Sequence, residues 1–235
     1  LRPGPRHFRR RGCIEAYVQG LPLGAQPHHH EHRIKALIEF DDLPTAVYEV
    51  LIGEEDVGAA LLPAPNLPFL DVLPSHQRLI GAEIELVNVM ARETRLKRAL
   101  ETIRNDYHYI FIDCPPSLGV LTINGLTAAD AVLVPLQCEY YALEGLTALL
   151  NTIEQVRSSV NVGLSVEGIL RTMHDPRNNL ANEVSGQLIM HFGEKVYRTV
   201  IPRNIRLAEA PSFGMPVLFH DKYSRGALSY LALAG

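Results

Sequence analysis

The chain has 235 residues, 47% of them hydrophobic, with 26 acidic and 22 basic side chains and a formal charge of −4. That is enough apolar material to bury one α/β core without a second domain, and the slight acidic excess rules out a globally basic nucleic-acid coat while leaving room for a local basic patch. Cys13, Cys114 and Cys138 are odd in number and lack C-x-x-C spacing, which fits a reducing, cytoplasmic setting better than a disulfide or zinc framework, and no apolar run approaches the roughly 20 residues of a membrane span.

Residues 1–41 read as irregular. Leu1 to Arg11 carry five arginines among Pro, Gly and His, and residues 20–33 hold Gly20, Pro22, Gly24, Pro27, His28, His29, His30 and His32. No helix or strand period runs through them, so a disordered or poorly packed arm is expected. A metal-binding His cluster is the sharper alternative, but it lacks a companion acid or Cys ladder at ligand spacing. Further on, Ala46, Val47, Val50 and Leu51 at helical spacing predict a short amphipathic helix over residues 43–52, and Leu67 to Leu73 a strand ending at Pro74. Leu96, Leu100 and Ile103 then share one face of an amphipathic helical segment from Ala82 to Arg104.

Tyr109-Ile110-Phe111-Ile112 is an unbroken apolar and mostly β-prone run, the pattern of a strand buried on both faces of a parallel sheet. Asp113 closes it. Ligands of open α/β sheets bind at the carboxyl edge of the strands, so an acid there can hold a metal-bound water or a phosphate-linked cation; the plainer alternative is a cap for the next helix. Pro115 and Pro116 stiffen the loop that follows, and Gly119 lets it turn.

Ala131 to Leu136 reads as a further strand, with Leu143, Leu146, Leu150 and Ile153 as the inner stripe of the next helix. Val162 to Met173 (strand), Asn179 to Phe192 (helix), Val196 to Ile201 (strand) and the apolar helix Leu228 to Ala234 complete an α/β order. Tyr140 and Tyr141 between two of these elements are candidates for core or for an exposed contact. Lys195, Arg198, Arg203, Arg206, Lys222 and Arg225 form a basic concentration with Glu194, Glu209 and Asp221 interspersed, either a solvated surface or a phosphate-contacting patch.

Three long runs occur in order: Tyr109 to Gly119 (Y-I-F-I-D-C-P-P-S-L-G), Gln137 to Gly145 (Q-C-E-Y-Y-A-L-E-G) and Ile201 to Ser212 (I-P-R-N-I-R-L-A-E-A-P-S). On these residues the chain from about Asp42 onward resembles the ParA/Soj chromosome- and plasmid-partitioning ATPases, relatives of MinD in the deviant P-loop class. The resemblance implies a doubly wound, mostly parallel sheet with helices on both faces over residues 42–235, P-loop NTPase-like but lacking its first βαβ unit. It implies ATP and Mg²⁺ as cofactors, Asp113 as the Walker B acid that orients water on the metal, and Pro115, Thr172, Met173, Pro202 and Asn204 around the nucleotide. A turn proline followed by a capping asparagine is the plain alternative for Pro202 and Asn204. The resemblance further implies a homodimer with ATP, a ParB-type protein that stimulates hydrolysis, non-specific DNA contacts from Arg203, Arg206 and Arg225 on the nucleoid, and no membrane.

The family opens with a strand, a loop of the K-G-G-V-G-K-T kind, a helix and a second strand ending in D-x-D-P-Q-G-N. No G-x-x-x-x-G-K-[ST] run occurs in these 235 residues. If Gln26 to Arg33 are encoded as CAA CCC CAC CAC CAC GAG CAC CGG, reading one base later gives Asn-Pro-Thr-Thr-Thr-Ser-Thr-Gly, close to what the family carries after D-P-Q-G. A shifted reading frame, an inactive pseudo-ATPase or interaction module, and a non-functional fragment therefore stand beside the ATPase itself.

Overall fold

The computed structural model describes residues 13–18, 45–64, 67–115 and 117–235. Its frame is a sheet of five strands, β1 (Cys13–Val18), β2 (Tyr109–Cys114), β3 (Ala131–Gln137), β4 (Ser165–His174) and β5 (Val196–Pro202), in the spatial order β2-β1-β3-β4-β5. Every neighbouring pair is parallel. Helices connect and flank the strands, as parallel pairing requires. The sheet is thus the expected α/β parallel one.

β3 is central and buried at nearly every position, with Val132, Val134 and Leu136 almost fully enclosed. Pro135 stands within it, paired in register with Leu170 of β4. Helix α5 (Ala142–Ser159) covers the core with Leu146, Leu149, Ile153 and Val156. Leu143 and Leu150, expected on that stripe, are only partly buried at its margin. Helix α6 (Asn179–Phe192) has the predicted limits, and the Asn178 side chain caps it by accepting from the N–H of Leu180 and Ala181.

Four expectations need correcting. β2 is not buried on both faces: Ile110 and Ile112 pack on the core, while Tyr109, Phe111 and Asp113 are exposed, Phe111 by 66%. Among the described strands β2 lies at the edge, and its outer aromatics stack on each other at 6.2 Å. Residues 1–41 are not wholly irregular either, since Cys13–Val18 pairs with both β2 and β3; Ile14, Tyr17 and Val18 are β-prone residues hidden among Arg-, Pro- and His-rich flanks. The His cluster lies outside the described residues. The segment 82–104 is two helices, α2 (Leu79–Glu85) and α3 (Arg95–Glu101), broken at Ala91, whose φ is +55°. The buried Asn124 fixes the break by accepting from Leu96 N–H and donating to the Arg92 and Val120 carbonyls. The expected strand over 67–73 shrinks to Asp71–Val72, paired antiparallel with Leu62–Pro63.

Ahead of α2, helix α1 (Val47–Ile52) packs on both α2 and α3. Helix α4 (Val120–Ala128) follows β2 and lies close to it: a Cβ added at Gly125 would stand 2.6 Å from Cys114 Sγ, so only glycine permits this approach. Helices α7 (Ile205–Glu209) and α8 (Arg225–Ala234) close the chain.

Candidate functional site

Because all five strands run the same way, their carboxyl ends share one edge, and there a cleft of about 160 Å³ opens. Gln137, Cys138 and Glu139 enter it from the end of β3, Met173, His174 and Asp175 from the end of β4, Asn178 and Ala181 from the start of α6, and Arg203 from the end of β5.

Beside the cleft β4 and β5 lose register. Their pairing slips between Ile169 and Arg171 and again between Arg171 and His174. The buried Arg171 side chain bridges the slip, donating to the Tyr197 carbonyl at 2.9 Å, the Arg198 carbonyl at 3.4 Å and Ser185 Oγ at 2.9 Å. Met173 then takes a left-handed φ of +52°, strained for a side chain of this kind. Arg203 N–H donates to the His174 carbonyl at 3.0 Å and closes the edge below the cleft.

Charge is fixed at the rim. Hydrogen bonds from the Arg177 guanidinium, at 3.0 and 2.8 Å, hold the Asp175 carboxyl well below the usual range, with a smaller contribution from the charge of Arg203. Burial pushes the Cys138 thiol up despite the opposing charge of Arg171, so it is a neutral wall and not a nucleophile. His174 Nδ1 is buried and has no hydrogen-bond partner among the described residues.

Asp113 stands at the end of β2 on the same edge, separated from β3 by β1. Its neighbour Cys114 is pushed up to about 12 by burial and then by the charge of Asp113, which makes it packing rather than chemistry. The loop beyond is tied to α4 by Thr122, whose hydroxyl donates to the Pro115 carbonyl at 3.3 Å and the Ser117 carbonyl at 2.5 Å.

Of the residues expected around a nucleotide, only Met173 lines the cleft, joined by Arg203, which had been expected at DNA. Thr172 pairs with Gln137, and Pro202 with His174, at the ends of the strands. Asn204 caps α7 by accepting from Arg206 N–H at 3.0 Å. Arg206 is held by Glu209 at 2.8 Å and Asp221 at 3.4 Å. Arg225 is exposed in the first turn of α8. Tyr140 and Tyr141 are not core: they are 73% and 52% exposed and meet edge to face at 5.0 Å. Sequence reasoning missed His174, Asp175, Gln137 and Glu139. The available signal was Asn178, a capping residue that sets a helix start four positions after the strand end.

Residues 31–166 match the family model described as an AAA domain. The sporulation initiation inhibitor protein Soj of Bacillus subtilis is 53% identical over 197 residues, covering 84% of this chain and 78% of Soj. The chain belongs to the ParA/Soj family of ATPases. The chromosome partitioning protein ParA of Caulobacter vibrioides is 54% identical over 192 residues, covering 81% of this chain and 72% of ParA. Among solved structures, cobyrinic acid a,c-diamide synthase from Mycobacterium smegmatis, with a bound ATP analogue and magnesium, aligns with a TM-score of 0.72 at 33% identity over 94% of this chain and 80% of its own.

Family membership raises ATP and Mg²⁺, and the described residues fit the metal. Among the described residues no group of three or more His, Cys, Asp and Glu forms a metal cage. Mg²⁺ needs none, since one or two carboxylates with water and phosphate oxygens suffice, and the exposed Asp113 at the sheet edge is such a donor. For the base, the cleft offers the side chains of Gln137, Met173 and Arg203. Among the described residues no helix is long and apolar enough to cross a membrane.

Proposed function

We propose that the chain is a ParA/Soj-type ATPase of chromosome or plasmid partitioning, cytoplasmic and nucleoid-associated, that binds ATP with Mg²⁺ along the carboxyl edge of its sheet, dimerises with ATP and binds DNA without sequence preference. A ParB-type partner stimulates its hydrolysis. One observation carries the reading: a strand-terminal acid and a cleft share one edge of a parallel sheet, where such folds bind ligands, in a chain 53% identical to Soj. Asp113 would hold the metal through its water, and a bound Mg²⁺ neutralises phosphate charge. Met173 and Arg203 line the base end, while Pro115, Thr172, Pro202 and Asn204 stiffen the strand ends and the loop that carry the site.

A second reading, a pseudo-ATPase or interaction module, is favoured by one feature: the sequence lacks a G-x-x-x-x-G-K-[ST] run, whose backbone amides and lysine neutralise phosphates in P-loop proteins. Calorimetry separates the two. The 235-residue polypeptide is expected to bind MgATP weakly, and a version with residues 1–41 replaced by the family's N-terminal unit to bind it with a micromolar dissociation constant. Micromolar binding by the polypeptide itself would mean that another cationic loop holds the phosphates. No binding by either would leave the interaction module.

For the DNA face, each phosphate contact releases counterions. Replacing Arg225 by Ala in the ATP-bound dimer should weaken binding to all sequences alike and flatten the log-affinity against log-salt slope by about one unit per contact, counted once for each protomer. Arg206→Ala should flatten it less, because Glu209 and Asp221 already offset that charge, and Arg203→Ala should alter nucleotide binding as well. An unchanged slope with lower affinity would assign these residues to folding or dimerisation.

A further inference from the structure

We propose that the turn between the short helix Val217–His220 and α8 binds single-stranded nucleic acid, with bases stacking on Phe219 and Tyr223 and phosphates meeting Lys222 and Arg225. The proposal rests on the DNA reading above only at Arg225, and it names a different ligand, a strand with unpaired bases.

Two large rings stand in water at this turn. Tyr223 is 77% exposed and Phe219, four residues earlier, is 63% exposed. Four residues of chain reach at most about 14 Å, so both rings lie within the span of a short oligonucleotide. Phe213 is exposed as well, but its ring is already engaged, stacked on His220 at 4.6 Å. The turn itself is fixed. Asp221 Oδ1 accepts from Tyr223 N–H at 3.2 Å, and the Asp221 carbonyl accepts from the Ser224 N–H at 3.1 Å and the Ser224 hydroxyl at 2.8 Å. Ser224 Oγ in turn caps α8 by accepting from Ala227 N–H at 3.2 Å. A ring carried on a pre-formed turn loses little freedom on binding.

Cations accompany the rings. Lys222 Nζ lies 4.9 Å from the Tyr223 ring centroid, so a stacking surface and a positive charge are presented together. Arg225 follows, exposed at the first residue of α8. Among the described residues no ion pair holds Lys222 or Arg225, and the two acids of the stretch, Glu209 and Asp221, pair with Arg206 at 2.8 and 3.4 Å.

Three kinds of occupant compete for such a surface. An apolar protein face would cover the rings but strip water from two cations without replacing it, a cost that nothing there offsets. Duplex DNA would meet the cations with phosphates, yet its bases are stacked on one another, and both rings would stay in water. A single strand supplies free base faces and phosphates at once, the combination that aromatic and basic side chains recognise without sequence preference.

The test uses the 235-residue chain without nucleotide and a labelled thymidine oligonucleotide of about 20 residues, longer than the roughly 4–16 nucleotides of such sites, alone or paired with its complement. By fluorescence anisotropy the single strand should bind about tenfold more tightly than the duplex, the worth of one stacked base. Tyr223→Ala and Phe219→Ala should each lower single-strand affinity about tenfold and leave duplex binding within about twofold, whereas Tyr223→Phe, which keeps a ring, should match the unsubstituted chain. Ring variants should keep the slope of log-affinity against log-salt, and Lys222→Ala should flatten it by about 0.7 of a unit. The chain has no tryptophan, so tyrosine emission is readable, and the single strand should quench it more in the unsubstituted chain than in Tyr223→Phe. Single strands that bind no more tightly than duplex, or ring variants that bind them unchanged, would overturn the proposal. So would self-association of the chain, read by sedimentation, that Phe219→Ala abolishes while single-strand binding is unchanged, since the rings would then belong to a protein interface. If the ATP-bound dimer of the chain with the family's N-terminal unit binds duplex but the 235-residue chain shows no preference for single strands, the proposed function stands without this site. If single strands are preferred but that longer chain does not bind ATP, the site stands and the ATPase reading falls.

Discussion

Asp113→Asn is expected to lower ATP hydrolysis by about tenfold or more in a chain whose residues 1–41 are replaced by the family's N-terminal unit, with a smaller loss of nucleotide affinity. The substitution keeps size and removes the charge that orients a metal-bound water. It should leave the fold intact, because Asp113 lies on the exposed face of β2 while Ile112 and Cys114 on either side carry the packing. It should create no new nucleophile either: the charge of Asp113 is only the second influence on Cys114, and burial keeps that thiol protonated. Phosphate release under single-turnover conditions reads the effect. Turnover equal to that of the unsubstituted chain would reduce Asp113 to a residue that shapes the loop to α4.

The contrast between Asp113 and the cleft tells what a sequence reveals of such a site. Asp113 is legible because a strand-terminal acid is a local pattern, and the limits of α6 are legible because its apolar period is local too. The exposure of Phe111 is not, since a strand's place at the edge of the described sheet depends on which other strands pair with it. His174 was missed for a related reason. The cleft arises where β4 and β5 slip in register, where the Arg171 side chain replaces backbone pairing and where Met173 adopts a left-handed φ, all consequences of tertiary packing. Asn204 is a different case: its residue type suits both a ligand contact and a helix cap, and in the fold its Oδ1 caps α7 by accepting from Arg206 N–H. Arg203, Arg206 and Arg225 looked alike as basic residues in one stretch, yet they line a cleft, pair with two acids and begin a helix, respectively.

Glu49→Gln is expected to cost about 2 kcal/mol of stability near neutral pH, and the loss should shrink as the solution is acidified. Glu49 is 6% exposed on α1 and fastens the chain entering α2. Its carboxylate accepts from Ala46 N–H at 2.9 Å and pairs with Arg78 at 2.9 Å and His76 at 3.4 Å. Around it Tyr48 donates to Glu85 at 2.8 Å, Arg78 lies 4.5 Å over the Tyr48 ring, and Val47 N–H donates to the Pro74 carbonyl. Breaking a fully buried pair costs roughly 3–5 kcal/mol. Arg78 is 63% exposed, so solvent screens part of the attraction and brings the cost below that range, to about 2 kcal/mol. Burial alone would raise the pKa of Glu49, but the backbone N–H groups of Glu49 and Ala46 and the charges of His76 and Arg78 outweigh it and hold the carboxyl below its ordinary value of 4.5. A depressed folded pKa means that the ionised carboxylate stabilises the fold at every pH above the unfolded value and that this contribution drains away as pH falls through the folded one. Urea denaturation of both proteins at neutral pH and at about pH 3, below the reference value for a free glutamate, should therefore show two curves well apart at the first and drawn together at the second. A gap that stays the same at both would mean that Glu49 acts by shape and neutral hydrogen bonding, with its charge contributing nothing to the hold of α1 on α2.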